Sequence, residues 1–366
     1  MVSRDSYSCS AIKEERMETK ILEKNDIAEA ASILKSGEVI AFPTETVYGL
    51  GAIANGVSFE KLVKVKGRPE GKPFTLMISN FSSIAPYVEF DAKAIALMHR
   101  FMPGEITVLL PAKKGIPDWV NHGSEYVGIR MPNSQVVLDL IDKVGSPLLV
   151  PSANKSGEPT LTTFEAVFAA FNKEIAAILK GECVSNKPST IIKIDKENIS
   201  LVREGNLPFS TIKDFYDSIE KPVISLGCDH GGFEAKEAVK EHLEKLGFSI
   251  LDEGTHSKES CDYPLFAIAA AKDIADGRAW RGVLVCTSGE GVSIAANKVK
   301  GIRCGIGYDD VATGKCVEHN NCQMVAFGQA YMPLADILNR VDRFVIEKWS
   351  TKESHHRRVG QISEAE

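Results

Sequence analysis

The sequence predicts two α/β domains joined end to end, and three observations carry that reading. The chain has 366 residues, room for about two domains that each bury a core of their own. From residue 222 onward, short apolar runs alternate regularly with amphipathic stretches, the pattern of a doubly wound, Rossmann-like parallel sheet. Two unrelated sets of chemically active residue types lie on either side of a charged stretch at Asp214–Pro222, and no single site explains both.

Composition narrows the class. Hydrophobic residues make up 44% of the chain and charged residues 25%, ordinary for a globular protein. The net charge of -6 gives no global pull toward nucleic acid or anionic membrane, so any anion must be met by a local basic cluster. No apolar run approaches the roughly 20 residues of a membrane helix. Residues 1–17 are polar, lack the apolar core of a signal peptide and read as a tail. The eight cysteines show no Cys-x-x-Cys spacing, which predicts reduced thiols in a cytoplasm rather than a disulfide framework or a zinc centre.

In the first half, Ile27, Ala30, Ala31 and Leu34 recur at helical spacing between Asn25 as N-cap and Gly37 as stop. Val39–Phe42 comes next as a buried strand. Further short apolar runs lie at Phe74–Ile78, Ile106–Leu110, Val127–Ile129, Pro147–Val150, Thr190–Ile194 and Ile199–Val202, with helical stretches at Ala92–Phe101, Val136–Val144 and Phe164–Phe171. This is a mixed α/β domain whose strand order the pattern leaves open. Residues 216–221 read as a linker across which little core passes, so the halves are expected to fold separately. Beyond it come strand Val223–Leu226, helix Phe233–Leu246, strand Phe248–Leu251, helix Tyr263–Ala275, strand Gly282–Cys286, helix Gly291–Lys298, strand Arg303–Gly307, helix Asp310–Glu318, strand Met324–Gly328 and a closing helix Ala335–Trp349. Ligands of such sheets bind beyond the carboxyl ends of the strands.

Three motifs in the first half carry chemistry. Lys64, Lys66, Arg68 and Lys72 cluster in an acidic chain; an extended segment there would put Lys64, Lys66 and Arg68 on one face, suited to a polyphosphate. A solvated basic loop is the plain alternative. Ser152, Asn154, Ser156 and Gly157 come after a buried strand and offer hydroxyls, an amide and a turn. Thr44, Glu45 and Thr46 beside Tyr48-Gly49 line a small polar pocket or cap a strand end. Together with Val127-Gly128-Ile129-Arg130, Pro188-Ser189-Thr190-Ile191 and Val202-Arg203-Glu204-Gly205, residues 18–215 closely resemble the YrdC-type threonylcarbamoyl-AMP synthase family.

That resemblance implies an open twisted α/β sheet of the YrdC type around a positive cavity. It also implies the family reaction: L-threonine, bicarbonate and ATP give threonylcarbamoyl-adenylate and pyrophosphate, with Mg2+ on the phosphates. The product would feed a downstream tRNA-modifying threonylcarbamoyl transferase. Lys66 and Arg68 are then expected on the triphosphate, Ser152 and Asn154 on the nucleotide with Arg203 nearby, and Thr44 and Thr46 on threonine or bicarbonate. Thr107, Arg130 and Ser189 complete the expected binding set. Glu105 stands where the family usually has proline.

The second half carries Gly227-Cys228-Asp229-His230-Gly231-Gly232, then Cys286 through Gly291, then Glu318-His319-Asn320. A glycine-rich turn opening a helix offers backbone N–H groups to an oxyanion and favours a thiolate at Cys286; His319 suits acid/base work. Taken singly, a cysteine on an apolar strand is a core residue and a histidine at a helix end a surface cap. With Asp262-Tyr263-Pro264, Ser293 through Lys298 and Arg357-Arg358-Val359 added, residues 222–366 resemble the ribose-5-phosphate isomerase B family, which includes galactose-6-phosphate isomerase subunits. The resemblance implies Cys286 as the base between C1 and C2 and Thr287, Ser288, Gly289 and Gly291 around the enediolate oxygen. It assigns Asp229 and His319 to ring opening, with Asn320 beside them, and His230 and Arg358 to phosphate. It implies a homodimer and no cofactor. Gln329-Ala330 and Glu353-Ser354-His355-His356 depart from the family at two places where it usually carries phosphate-binding arginine, and Glu290 adds a charge where it is usually apolar. Two functional readings stand: a bifunctional enzyme, or a synthase with a non-catalytic sensing or dimerisation domain. A third, RNA binding by the first half, is opposed by the acidic charge and the lack of interleaved aromatic residues.

Overall fold

The computed structural model describes residues 18–69, 71–185, 187–196 and 198–366. The polar stretch 1–17 lies outside the described residues. The first half forms one mixed ten-stranded sheet, ordered β1-β8-β2-β3-β7-β4-β6-β5-β9-β10. Its strands are β1 (Lys20–Leu22), β2 (Ile40–Pro43), β3 (Tyr48–Ile53), β4 (Thr75–Met77), β5 (Ile106–Pro111), β6 (Tyr126–Arg130), β7 (Leu148–Leu149), β8 (Ala177–Leu179), β9 (Thr190–Asp195) and β10 (Asn198–Arg203). Helices α1 (Ile27–Lys35), α2 (Gly56–Lys66), α3 (Ala92–Phe101), α4 (Asp118–Asn121), α5 (Gln135–Val144), α6 (Phe164–Phe171) and α7 (Phe209–Ser218) connect them, with a 3-10 turn at Phe81–Ile84. The sheet is open, as expected.

The basic cluster departs from expectation. Lys64 and Lys66 belong to the last turn of α2, not to an extended segment. Gly67 caps that helix in the left-handed region at φ 62°, which a residue with a Cβ adopts at a cost, and the chain reverses there. The reversal, not strand alternation, brings Arg68 back toward Lys66. The first helix is capped by Asp26 rather than Asn25. The stretch 216–221 begins inside α7, whose Ile212 and Tyr216 are buried.

The second half is a five-stranded parallel sheet ordered β12-β11-β13-β15-β14. Its strands are β11 (Val223–Cys228), β12 (Ser249–Asp252), β13 (Arg281–Cys286), β14 (Cys304–Ile306) and β15 (Met324–Gly328). Its helices are α8 (Phe233–Lys245), α9 (Tyr263–Ala275), α10 (Glu290–Ala296), α11 (Asp310–Asn320), α12 (Leu334–Ile346) and α13 (Glu353–Ser363). The expected closing helix Ala335–Trp349 is α12, and a further helix, α13, follows it. The first stops at Ile346 because Glu347 turns to extended backbone at φ -73° and ψ 152°.

The segment from Glu347 to Lys352 joins the halves. The Glu347 carboxylate accepts the N–H groups of Phe81 at 3.1 Å and Ser82 at 2.8 Å, capping the 3-10 turn. Lys348 Nζ donates to the carbonyls of His99 at 2.5 Å and Met102 at 3.0 Å, at the end of α3. Two adjacent residues thus match acid to a helix start and base to a helix end, each the charge that the peptide dipoles favour there. Ser350 N–H donates to Glu318 O, and Lys352 pairs with Asp142. His99 Nε2 contacts Ile346 O at 2.9 Å, and Arg343 donates to Ser82 O at 3.1 Å. At Gly314 a Cβ would collide with the Ser82 hydroxyl, so only glycine lets α11 lie this close to the first half. One apolar cluster includes Phe81, Ile84 and Met98 of the first sheet's layer together with Phe248, Phe344 and Ile346 of the second. Core does cross between the halves, against expectation; apolar patterning identifies buried faces but not which domain buries them.

Candidate active sites

A solvent-open cleft sits over the first sheet. Thr44, Arg68, Thr107, Arg130, Ser152, Ser189 and Arg203 line it. They come from the β2–β3 turn, the segment after α2, β5, β6, the end of β7, the segment before β9 and β10, which the strand order places side by side. The remaining predicted residues stand directly behind. Lys66 Nζ, almost fully buried, donates to Ser152 O at 2.6 Å and Asn154 Oδ1 at 2.8 Å. Thr46 Oγ1 lies 2.9 Å from Thr44 Oγ1 and accepts from Arg130 Nη2 at 2.8 Å. All ten residues belong to one constellation. Sequence reasoning did not assign Tyr48, Thr75 and Pro188, which also line the cleft.

The cationic groups are held rather than loose. Arg68 donates through Nε to Lys72 O at 3.1 Å and through Nη2 to Pro73 O at 2.6 Å, with its guanidinium 5.0 Å from the Phe74 ring centre. Burial, then the neighbouring Arg68 charge, pushes the Lys66 ammonium down to about 8. Burial also lowers Arg68 and Arg203, the latter with Arg130 adding repulsion. Arg68 disfavours the Lys66 charge and Arg130 the Arg203 charge, and an anion entering the cleft offsets both.

Glu45, absent from the predicted set, pairs with Arg130: Nη2 lies 2.9 Å from Oε1, and both side chains are buried. Its other oxygen, Oε2, and Arg130 Nε have no partner among the described residues. Buried polar atoms left unpaired are costly, and both of these are closed off from solvent. The signal was in the sequence, as the only acid within Pro43–Gly51, but nothing local distinguishes such a residue from a strand-end cap.

In the second half, β11 and β13 are neighbours, so Asp229-His230 and Cys286–Gly289 emerge together at the carboxyl edge. Asp229 Oδ1 accepts from Gly231 N at 2.9 Å and Gly232 N at 3.1 Å. Gly231 lies so close to Thr287 that a Cβ would strike its hydroxyl. Cys286 is buried, and the N–H of Gly289, at φ 86°, donates to its sulfur at 3.0 Å. His230 Nδ1 accepts from Cys261 N–H at 3.2 Å. Gly291 supports the ring of Tyr263. Gln329, in one of the departing segments, turns its side chain away from this edge: its N–H donates to Cys286 O at 2.9 Å, while its Oε1 caps α8 through Ala235 N–H at 2.8 Å.

His319, Asn320 and Arg358 form a separate group on α11 and α13. The His319 ring packs on His355 with centres 4.2 Å apart, and Glu318 Oε1 lies 3.7 Å from His319 Nε2. Ser350 Oγ contacts His355 Nδ1 at 2.6 Å. Burial lowers both His319 and His355, so both stay neutral at neutral pH. Among the described residues no hydrogen bond or ring contact joins this group to Cys286. One chain presents two separate groups of candidate residues.

Two family matches divide the chain as its two sheets do. The Sua5/YciO/YrdC family, described as Telomere recombination, matches residues 32–205. The Ribose/Galactose Isomerase family matches residues 224–362. The threonylcarbamoyl-AMP synthase of Bacillus subtilis is 38% identical over 56% of this chain and 64% of its own length, so the chain spans under two thirds of that relative. That of Vibrio campbellii is 32% identical over 47% of this chain and 95% of its own. The ribose-5-phosphate isomerase B of Mycolicibacterium paratuberculosis is 39% identical over 39% of this chain and 91% of its own. A solved structure of a doubly substituted Pyrococcus abyssi Sua5 superposes with a TM-score of 0.52 and 25% identity, covering 76% of this chain and 95% of that one. The chain belongs to both families: its first half is a member of the threonylcarbamoyl-AMP synthase family, its second a member of the ribose-5-phosphate isomerase B family.

Proposed function

We infer that the protein is bifunctional. The first half joins L-threonine, bicarbonate and ATP into threonylcarbamoyl-adenylate, for transfer to tRNA. The observation that carries this is the convergence of Arg68, Arg130 and Arg203 on one hydroxyl-lined cleft, with Lys66 behind it on Ser152 and Asn154. The buried Arg130–Glu45 pair, with the Thr44 and Thr46 hydroxyls beside it, suits the two opposite charges of an amino acid. A carbamate oxygen attacking the α-phosphorus needs positioning and charge neutralisation more than proton transfer. Arg68 through its free edge, with the Lys66 charge behind it, supplies the latter. The Glu45 carboxylate beside the cleft is already paired with Arg130, so Mg2+ would be held by phosphate oxygens and water. Incubating the whole protein with the three substrates and monitoring pyrophosphate and the adenylate tests this; ATP turnover indifferent to threonine would overturn it.

The second half is proposed as an aldose–ketose isomerase for sugar phosphates such as ribose 5-phosphate. Cys286 moves the C2 proton, and the N–H groups of the Thr287–Gly291 turn meet the enediolate oxygen. Asp229 and His319 open the ring, and His230 and Arg358 hold phosphate. The two separate groups support a homodimer in which each copy completes the other's site. Gln329 serves as a helix cap, and no arginine stands there, so phosphate is held more weakly than in the family and a sensing role is the second reading. Formation of ribulose 5-phosphate from ribose 5-phosphate separates the two; saturable binding without turnover would favour sensing.

A further inference from the structure

Three cysteines lie under the turn that carries His319 and Asn320, and neither proposed reaction uses them. Cys316 sits on α11, and Cys322 comes directly after the left-handed cap Asn321, at φ 49°. Cys322 N–H donates to Cys316 O at 3.0 Å, so the two main chains touch. Their sulfurs crowd one point: a methyl placed on Gly305 would lie 3.5 Å from Cys316 Sγ and 3.7 Å from Cys322 Sγ. The missing side chain of Gly305 leaves both thiols facing a common space. Both are free and buried, with Cys304 nearby.

The geometry points to Cys316 and Cys322 as a reversible dithiol–disulfide site that closes the loop bearing His319 and Asn320. Touching main chains and sulfurs that share one space bring the pair within reach of a disulfide. Arg281 acts on both thiols and Arg303 on Cys322, so positive charge favours a thiolate at this pair. Either thiol can take the oxidant and the other resolve it. With hydrogen peroxide as oxidant, one of the two sulfurs takes one oxygen to become a sulfenic acid, and the second oxygen leaves as water. The other sulfur then attacks the sulfenic sulfur, the S–S bond forms, and a second water departs with that thiol's proton. Two thiols and one peroxide thus give one disulfide and two waters. Drawing the sulfurs to about 2.05 Å moves the Asn320–Asn321 turn and with it His319. This consequence for turnover rests on the isomerase reading; the existence of the bond does not.

The test uses the whole protein. Hydrogen peroxide is added in small molar excess, remaining thiols are blocked with iodoacetamide, and the chain is cut with trypsin. Cleavage after Lys315 and Arg340 leaves one peptide, Cys316–Arg340, holding these two cysteines and no other. The expected result is that this peptide loses two hydrogens, carries no alkyl group and regains both thiols on reduction with dithiothreitol. Isomerase turnover is expected to fall at least tenfold in step and recover with it, while pyrophosphate release by the first half is unchanged. Alkylation of both cysteines at peroxide doses that already oxidise Cys286, or stepwise oxygen addition without the bond, overturns the site. Turnover that is lost equally in Cys322→Ser places the control at Cys286 and overturns the consequence. A protein without isomerase activity still decides the site by mass alone.

Discussion

Lys66 is charged only below a pKa of about 8, because burial opposes its proton and Arg68 repels it. A polyphosphate in the cleft reverses that balance and restores the proton. ATP binding above pH 8 should therefore take up close to one proton, read as a dependence of calorimetric enthalpy on the buffer's ionisation enthalpy. Lys66→Arg, whose guanidinium stays charged, should abolish the uptake. Equal heats in all buffers would remove Lys66 from the phosphate. Arg68→Ala should cut pyrophosphate release at least a hundredfold, the loss of a charge-assisted contact of about 1.5–3 kcal/mol together with its positioning. Near-normal release would displace it. In the second half, Cys286→Ala should lower kcat by about 100- to 10,000-fold, as removal of a general base does, with phosphosugar binding kept. Surviving turnover would move the base elsewhere, Glu290 first.

At the scale of elements, α10, α11 and the turns before them were legible because each is opened or closed by residues with local reasons. Gly289 is left-handed, Asp309 caps α11 through Ala312 N–H, and β13 is buried along its length. The strand order of the first sheet was not legible. Neighbours such as β1 and β8, or β3 and β7, come from far apart along the chain, and strands as short as β7 and β1 leave little periodicity to read. The site was legible as residue types and invisible as geometry. Lys66 and Arg68 were found, but the left-handed Gly67 that brings them together was read as part of an extended run. Nor does sequence reveal that Glu347 and Lys348 serve the other half. Glu347→Ala should leave two buried N–H groups unpaired, at about 1–3 kcal/mol each, and lower Tm by several degrees. An unchanged Tm would reduce this contact to an incidental one.

For the molecule as a whole, the shared core predicts one calorimetric transition rather than two. Residues 18–222 alone should melt well below the intact chain, and two well-separated transitions would restore the picture of independent halves. Acid should act at the same junction. Burial, then Arg281, holds His99 down to about 3, so the folded chain resists a proton that the unfolded chain accepts below about 6.5. Stability should fall as pH drops from about 6.5 toward 3, at up to about 1.4 kcal/mol per pH unit from this group. His99→Gln should flatten that slope in urea titrations.

The Glu347–Lys348 dipeptide has one more implication, and it concerns time. Glu347 lies 266 residues downstream of Phe81, whose N–H it caps. At roughly 5–20 residues per second on a ribosome, that gap corresponds to a wait on the order of tens of seconds. The nascent synthase half must hold the N–H groups of Phe81 and Ser82 and the carbonyls of His99 and Met102 without these partners throughout. It acquires its finished surface only when the tail of the second sheet emerges. A ribosome stalled between the two sheets would display an apolar flank with nothing to cover it, and a chaperone would have its longest opportunity there.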